Sequence, residues 1–151
     1  MKIGCFIPVK QFSERVKGKN FRTVNGMPLY QVIILKAVKS NRFSDVFVDT
    51  DSEDVVAFAM KNGCKHIPRE EYLSRNTANG NDLLVSHFIK YPNYDYYFQL
   101  FATAPLMPIK TIQQCVDGLV QSAEHDSVFT TIAHHGFFWR ANMPISYRPV
   151  N

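Results

Sequence analysis

Cysteine is scarce in this sequence, and so are glycine clusters and long apolar runs. The three cysteines, Cys5, Cys64 and Cys115, lie far apart in apolar surroundings, and an odd count leaves one unpaired. No Cys-x-x-Cys or Cys/His spacing suggests zinc, so a disulfide scaffold and a zinc module are both excluded. A reduced, cytoplasmic protein is the expectation. No apolar run approaches the roughly 20 residues that cross a bilayer, and Met1-Lys2 leads straight into a strand pattern rather than a signal peptide. The 7 glycines form neither GxGxxG nor GxxxxGK[ST], which argues against a Rossmann dinucleotide site and a P-loop. No aromatic–basic RNA-binding pattern, repeat or low-complexity segment is present.

What is present is an ordinary globular composition, with 46% hydrophobic and 20% charged residues in 151. The net charge of +4 is modest, but its placement is uneven. Lys10, Arg15, Lys17, Lys19 and Arg22 fall in one short stretch opposed only by Glu14. That stretch follows an apolar segment, residues 3–9, read as a buried strand. Asn25-Gly26 marks a turn, and Pro28 suits the first turn of a helix that runs to about Ser40.

Residues 45–49 form a β-branched and aromatic strand ending in Asp49-Thr-Asp51. Ser52 caps a helix that Gly63 stops, and residues 64–67 form a third strand. Residues 68–81 read as a long loop, of the kind that is often functional. A helix follows at about 82–90, then an aromatic strand from Tyr94 to Phe101. Pro108 opens a helix to about Ser122, and residues 127–132 read as a further strand. The tail from about residue 134 shows no periodicity, and the whole reads as a single, C-terminally incomplete domain.

The order β-α-β-α-β-loop-α-β-α-β predicts a three-layer α/β fold with a mostly parallel sheet and right-handed crossovers. In such sheets ligands bind outside the carboxyl ends of the strands, where the basic loop 10–25 lies. Several cations and neutral hydrogen-bonding groups there suit a polyphosphate. A solvated basic loop is the plain alternative.

The run Ile7-Pro-Val-Lys-Gln-Phe-Ser-Glu-Arg-Val-Lys-Gly-Lys-Asn20, followed by Gly26-Met-Pro-Leu29, resembles the opening signature of the acylneuraminate (CMP-sialic acid type) cytidylyltransferases. That signature reads roughly I-P-[AV]-[RK]-x-x-S-x-R-x-x-x-K-N, then G-x-P-L. The resemblance continues through Asp49-Thr-Asp51, where many members have Ser-Thr-Asp, through Arg69 and the loop 73–82, and to Thr103-Ala-Pro-Leu106. It implies a Rossmann-like nucleotide-sugar transferase fold. It also implies a reaction in which CMP passes from CTP to a sialic-acid-like nonulosonic acid with release of pyrophosphate.

On the same resemblance the backbone at Pro8 and Val9 meets the cytosine. Lys10, standing where Arg is usual, and Lys19 meet the phosphates and carry the catalysis. Ser13, Arg15 and Asn20 complete the nucleotide loop. Arg69, with the backbone near Ala78 and Gly80, meets cytosine and ribose. Gln99 stands two residues before the family's sugar-binding Gln, whose place Phe101 takes, and substitutes for it if the strand is bulged. Arg140 is the candidate for the sugar carboxylate, with Arg148 beside it. Mg²⁺ is implied, with ligands expected beyond residue 151 and none within this chain.

The tail aromatics Phe137, Phe138 and Trp139 line the sugar side of the cleft or cover a partner subunit, and a homodimer is expected. No nucleic-acid or membrane partner is expected. Asp49 and Asp51 could approach a metal or serve only as loop residues; His134-His135 could bind an anion. His66, His87 and His125 read as surface or strand-edge residues, and Tyr94, Tyr96, Tyr97 and Phe98 as sheet core. The alternatives are a 3-deoxy-manno-octulosonate cytidylyltransferase, a non-enzymatic polyanion- or nucleotide-binding module, and an inactive enzyme remnant. The first has an Asp where this chain has Phe-Ala-Thr-Ala-Pro105.

Overall fold

The computed structural model describes residues 1–13, 16–74, 77–133 and 136–145. Its centre is β1 (Ile3–Val9), seven apolar or small residues buried almost throughout. A strand covered on both faces needs apolar side chains at every position, which is why this segment shows no alternation. The basic loop follows, with a short 3-10 turn at Lys19–Phe21 entered through Gly18 at φ 63, a left-handed position that favours glycine. A small hairpin comes next, β2 (Thr23–Val24) and β3 (Met27–Pro28), turned by Asn25 and Gly26 at φ 51 and 77. Two consecutive positive φ values match the twist of a two-residue hairpin loop, which explains the Asn-Gly pair.

Helix α1 (Leu29–Ser40) begins one residue after Pro28, which stands at the N-cap in extended backbone. β4 (Asp45–Thr50), α2 (Glu53–Lys61) and β5 (Lys65–Pro68) follow, with Ser52 at the N-cap of α2 and Gly63 at φ 76 beyond its end. The expected long loop is broken by a single turn, α3 (Glu71–Ser74), and α4 (Gly80–Lys90) starts two residues before its expected place. The reason is a capping box: the Asn79 side chain accepts from the N–H groups of Asn81 and Asp82, and Asp82 accepts from the N–H of Asn79. β6 (Tyr96–Gln99) and α5 (Ile109–Gln121) complete the main body. A last hairpin joins β7 (Trp139–Arg140) to β8 (Met143–Pro144), so the tail is not wholly irregular.

The main sheet has the order β5-β4-β1-β6, with every neighbour parallel. The α/β, mostly parallel architecture expected from the alternation is therefore present. Helices α1, α2 and α5 share one core with Cys5, Ile7, Val9 and Val48. Phe6, Phe47 and Ile67 face the other way, packed by Tyr91, Tyr94 and Tyr97, and the Phe6 ring stacks on His87 of α4. Steps in one direction use helices on one face, and the return to β6 uses the other, as right-handed crossovers require. Of the aromatic segment expected as sheet core, Tyr94 and Tyr97 pack half-buried against this second cluster, while Tyr96 and Phe98 are half-buried outside both clusters.

One expected element is absent. Residues 127–132 run beside β6 without pairing to it, and Phe129 and Ile132 are 82% and 79% exposed. β-branched and aromatic residues make a strand only where a partner edge and a face to bury against are both supplied. Here neither is.

Candidate functional site

The strand order reverses at β1, whose neighbours β4 and β6 lead away in opposite directions. Loops leaving the carboxyl ends of β1 and β6 must therefore separate and leave a crevice. A cleft of ≈ 460 Å³ lies there. Its walls carry Pro8, Lys10 and Ser13 from the end of β1, Lys19 and Asn20 from the 3-10 turn, and Arg69 from the end of β5. Ala78 and Gly80 come from the start of α4. Eight of the residues singled out for the nucleotide thus converge from three separate stretches of chain.

The loop is tied from behind. Asn20 is buried, and its Nδ2 donates to the Lys10 carbonyl at 3.0 Å, so the two ends of the basic loop are joined by one bond. Asp51 accepts from the Gln11 N–H at 2.7 Å, which makes it a loop anchor. Lys36 Nζ of α1 donates to the carbonyls of Pro105 and Met107 and pins the loop after β6. Among the described residues Lys10 and Lys19 give the cleft a positive character suited to an anionic ligand, while the charge of Arg69 is largely met by Asp49. The amino end of α4 adds its dipole, with the Gly80 N–H lying outside the cap that engages Asn81 and Asp82.

Arg69 is bound differently from the lysines. Its Nε donates to Asp49 Oδ1 at 2.8 Å, and its Nη2 to the Asp49 carbonyl at 3.1 Å. The other carboxylate oxygen lies 2.8 Å from His87 Nε2. The Arg69, Asp49 and His87 side chains are 3%, 1% and 1% exposed, so this is a buried charged network. Burial pushes the Asp49 carboxyl up, but the hydrogen bond from His87 and the Arg69 guanidinium outweigh it and hold its pKa below the usual carboxylate value.

This corrects two expectations. His87 is a core residue, not a surface one, because α4 carries it onto the Phe6 ring at 4.8 Å. Asp49 is committed to an arginine and a histidine and is no metal ligand here. Among the described residues no group of three His, Cys, Asp or Glu could hold a metal ion. His66 and His125 do lie at a strand edge and on the surface.

Other expected site residues are placed elsewhere. The Val9 side chain is in the core, and only its backbone reaches the carboxyl end of β1. Gln99 pairs with Phe6 in a regular ladder without a bulge, and its Nε2 donates to the Gly80 carbonyl at 3.4 Å outside the cleft lining. Arg140 is exposed on the β7–β8 hairpin, outside that lining too. Arg15, His134, His135 and Arg148 lie outside the described residues. The cleft also uses Leu73, Asn79, Leu83, Phe101, Ala102 and Thr103. Of these, Asn79 carried a legible signal, the Asn-x-x-Asp spacing of a capping box.

The sequence profile described as Cytidylyltransferase matches residues 5–137. The chain is 28% identical over 138 residues to N-acylneuraminate cytidylyltransferase A of Danio rerio, covering 91% of this chain and 32% of that protein. It is 30% identical over 127 residues to the pseudaminic acid cytidylyltransferase of Campylobacter jejuni, covering 81% of this chain and 55% of that one. The chain therefore spans less than two thirds of the length of these relatives.

Among solved structures, the CMP:2-keto-3-deoxy-manno-octonic acid synthetase complexed with CTP is similar with a TM-score of 0.67 and 24% identity, over 82% of this chain and 49% of that one. A Mycobacterium tuberculosis protein in complex with manganese gives a TM-score of 0.56 at 13% identity, over 78% of this chain and 59% of that one. At such identities the likeness is one of fold. The profile match runs from the first buried strand through the cleft-forming loops and beyond, and on that ground the chain belongs to the cytidylyltransferase family.

Proposed function

We propose that the protein is a CTP-dependent sugar cytidylyltransferase that transfers CMP from CTP to a sialic-acid-like nonulosonic acid and releases pyrophosphate. The convergence of Pro8, Lys10, Ser13, Lys19, Asn20, Arg69, Ala78 and Gly80 on one cleft at the strand-order reversal carries this reading. In the reaction the sugar's anomeric hydroxyl attacks the α-phosphorus in line, and negative charge accumulates on the departing pyrophosphate. Phosphoryl transfer of this kind is mostly positioning and electrostatics. Lys10 and Lys19 supply the cations, Ser13 and Asn20 supply neutral hydrogen bonds, and Arg69 with the start of α4 holds the nucleoside end. Arg15 belongs to the same phosphate loop in this proposal, and the Val9 backbone to the base.

Arg140 is the candidate for the sugar side; Gln99 lacks the bulge that its substitution for the family's Gln requires. Gln99 stands against the α4 wall through Gly80, and Arg140 rides on the terminal hairpin. Mg²⁺ belongs to the proposal as the divalent ion that neutralises phosphate charge. The described residues do not assemble ligands for it, so the chemistry assigned to this chain is confined to its own cations. No described helix is long and apolar enough to cross a membrane; a cytoplasmic setting is part of the proposal.

The reading is tested by pyrophosphate release from CTP and Mg²⁺ with a panel of nonulosonic acids and with 3-deoxy-manno-octulosonate. Release with a nonulosonic acid alone is expected. Turnover only with the octulosonate replaces the sugar assignment, and absence of both turnover and CTP binding removes the enzyme reading. Salt-sensitive binding to nucleic acid without protection by CTP would instead favour a polyanion-binding module.

We also propose a homodimer, with Phe137, Phe138 and Trp139, which are 78%, 43% and 55% exposed, at its interface. Light scattering is expected to give twice the chain mass, and Trp139→Ser to shift it toward one chain. A monomer at micromolar concentration would exclude this.

A further inference from the structure

Arg69 lines the cleft wall from the end of β5 with its side chain nearly buried, and two bonds on one edge of its planar guanidinium hold it from behind. Engaging Nε and Nη2 fixes the plane of the fork and directs its remaining donors away from Asp49. An ammonium on a flexible stem, as in the lysines of the cleft, is a point charge without a planar fork to orient. Arg69 and Asp49 also cancel much of each other's charge. The arginine therefore presents oriented donors rather than a net cation.

Asp49 is itself locked. Its second oxygen faces His87 Nε2 at 2.8 Å, and a carboxylate can only accept, so Nε2 carries the hydrogen. His87 Nδ1 is buried with no hydrogen-bond partner among the described residues. The only polar engagement of this imidazole is thus Asp49, and its ring is clamped flat against Phe6 at 4.8 Å. His87 does not line the cleft.

We propose that Asp49 and His87 are positioning residues for the nucleotide cleft. His87 locks the Asp49 carboxylate, and Asp49 sets the plane in which the Arg69 guanidinium meets the uncharged nucleoside end of the ligand. This rests on the nucleotide reading given above and adds to it two buried groups that never touch the ligand. Their effect on binding is independent of the number of phosphates, unlike that of Lys10 and Lys19.

The experiment is calorimetric titration of CTP, CMP and cytidine into the wild type, Asp49→Asn, His87→Gln, Arg69→Lys and the Asp49→Asn/Arg69→Lys double variant. Each titration is run below the melting temperature of the weakest variant. Asp49→Asn keeps an acceptor for Arg69 and the shape of the site. His87→Gln removes the lock from outside the cleft and serves if Asp49→Asn does not fold. Both are expected to weaken all three ligands by a shared factor of about ten, the scale of one hydrogen bond to a charged group. In the Arg69→Lys background Asp49→Asn adds no further loss, because both act through one guanidinium.

If Asp49 acted only through its charge, removing it would tighten CTP most, since CTP is the most negative ligand. That result, unchanged affinities in both variants, or full additivity with Arg69→Lys overturns the proposal while leaving the nucleotide reading intact. A wild type that binds none of the three overturns both.

Discussion

Lys19→Ala is expected to lower kcat/KM for CTP by roughly 30- to 1000-fold, the scale of losing one preorganised contact to a developing charge, about 2–4 kcal/mol. Lys19 opens the 3-10 turn, and its place in the cleft wall is set by Gly18 on one side and the buried Asn20 on the other. Neither neighbour depends on the lysine head group, so the turn should persist in the variant. Lys17→Ala is the matched control. Lys17 is exposed, lies two residues away and does not line the cleft. Its removal costs only the screened field of one surface charge, a change of less than about threefold at physiological salt. Lys19→Arg, which keeps the charge, should recover part of the loss. Equal effects of Lys19→Ala and Lys17→Ala in the pyrophosphate assay would remove Lys19 from the phosphate site and leave only a basic surface.

Asp49→Ala is the second large effect, and it concerns stability. Removing the carboxylate leaves the Arg69 guanidinium buried without its counter-charge and strips from His87 its only polar partner among the described residues. Breaking a buried pair from one side costs about 3–5 kcal/mol, a large part of the total for a domain this size. The melting temperature should fall by roughly 10 °C.

The cost is pH-dependent, with a definite sign. Burial raises the Asp49 carboxyl, but His87 and Arg69 together bring its folded pKa below the unfolded value near 3.9. A depressed carboxylate contributes stability above its unfolded pKa and loses it as pH falls through the folded one. The gap between wild type and Asp49→Ala, read by urea denaturation, should therefore be full at pH 7 and narrow progressively below about pH 5. Asp45 is depressed too, with burial opposed by hydrogen bonds from Lys65 and Tyr94, but it is present in both proteins and cancels in the difference. A gap that stays constant into acid would show that the Asp49 pKa is the same folded and unfolded, and a gap that widens would show the carboxyl neutral in the folded protein.

Much of the cleft could be read from sequence because its residues are contiguous. Lys10, Ser13, Lys19 and Asn20 follow one buried strand within a short loop, and the rule that ligands gather at strand carboxyl ends supplies their location. Arg69, Ala78 and Gly80 came from the order of motifs in the family resemblance. Their convergence with the loop depends on β5 lying two strands from β1 and on α4 crossing the opposite face. Gln99 shows the limit of motif alignment. Whether it stands in for a residue two positions later depended on a bulge, and the regular ladder with β1 contains none.

The network behind Arg69 was not legible. Asp49 and His87 are separated by 38 positions, and neither carries a spacing that marks it. Asp49 read as a metal candidate because a carboxylate at a strand end has that chemistry. His87 read as a surface residue because histidine is often exposed. Only the packing of α4 on the Phe6 face brings the imidazole to the carboxylate, and only burial turns that approach into a committed bond.

The same division runs through the whole molecule. Local patterns are written in neighbouring residues, so the apolar run of β1, the helices, the Asn-Gly turn and the basic loop are properties of the sequence itself. Pairing across long separations is not. Residues 127–132 have every local mark of a strand and form none, because a strand is completed by an edge and a face that other segments must provide. The buried Arg69–Asp49–His87 network is the converse: nothing in the local pattern pairs these three residues, and the strand order and one helix face bring them together.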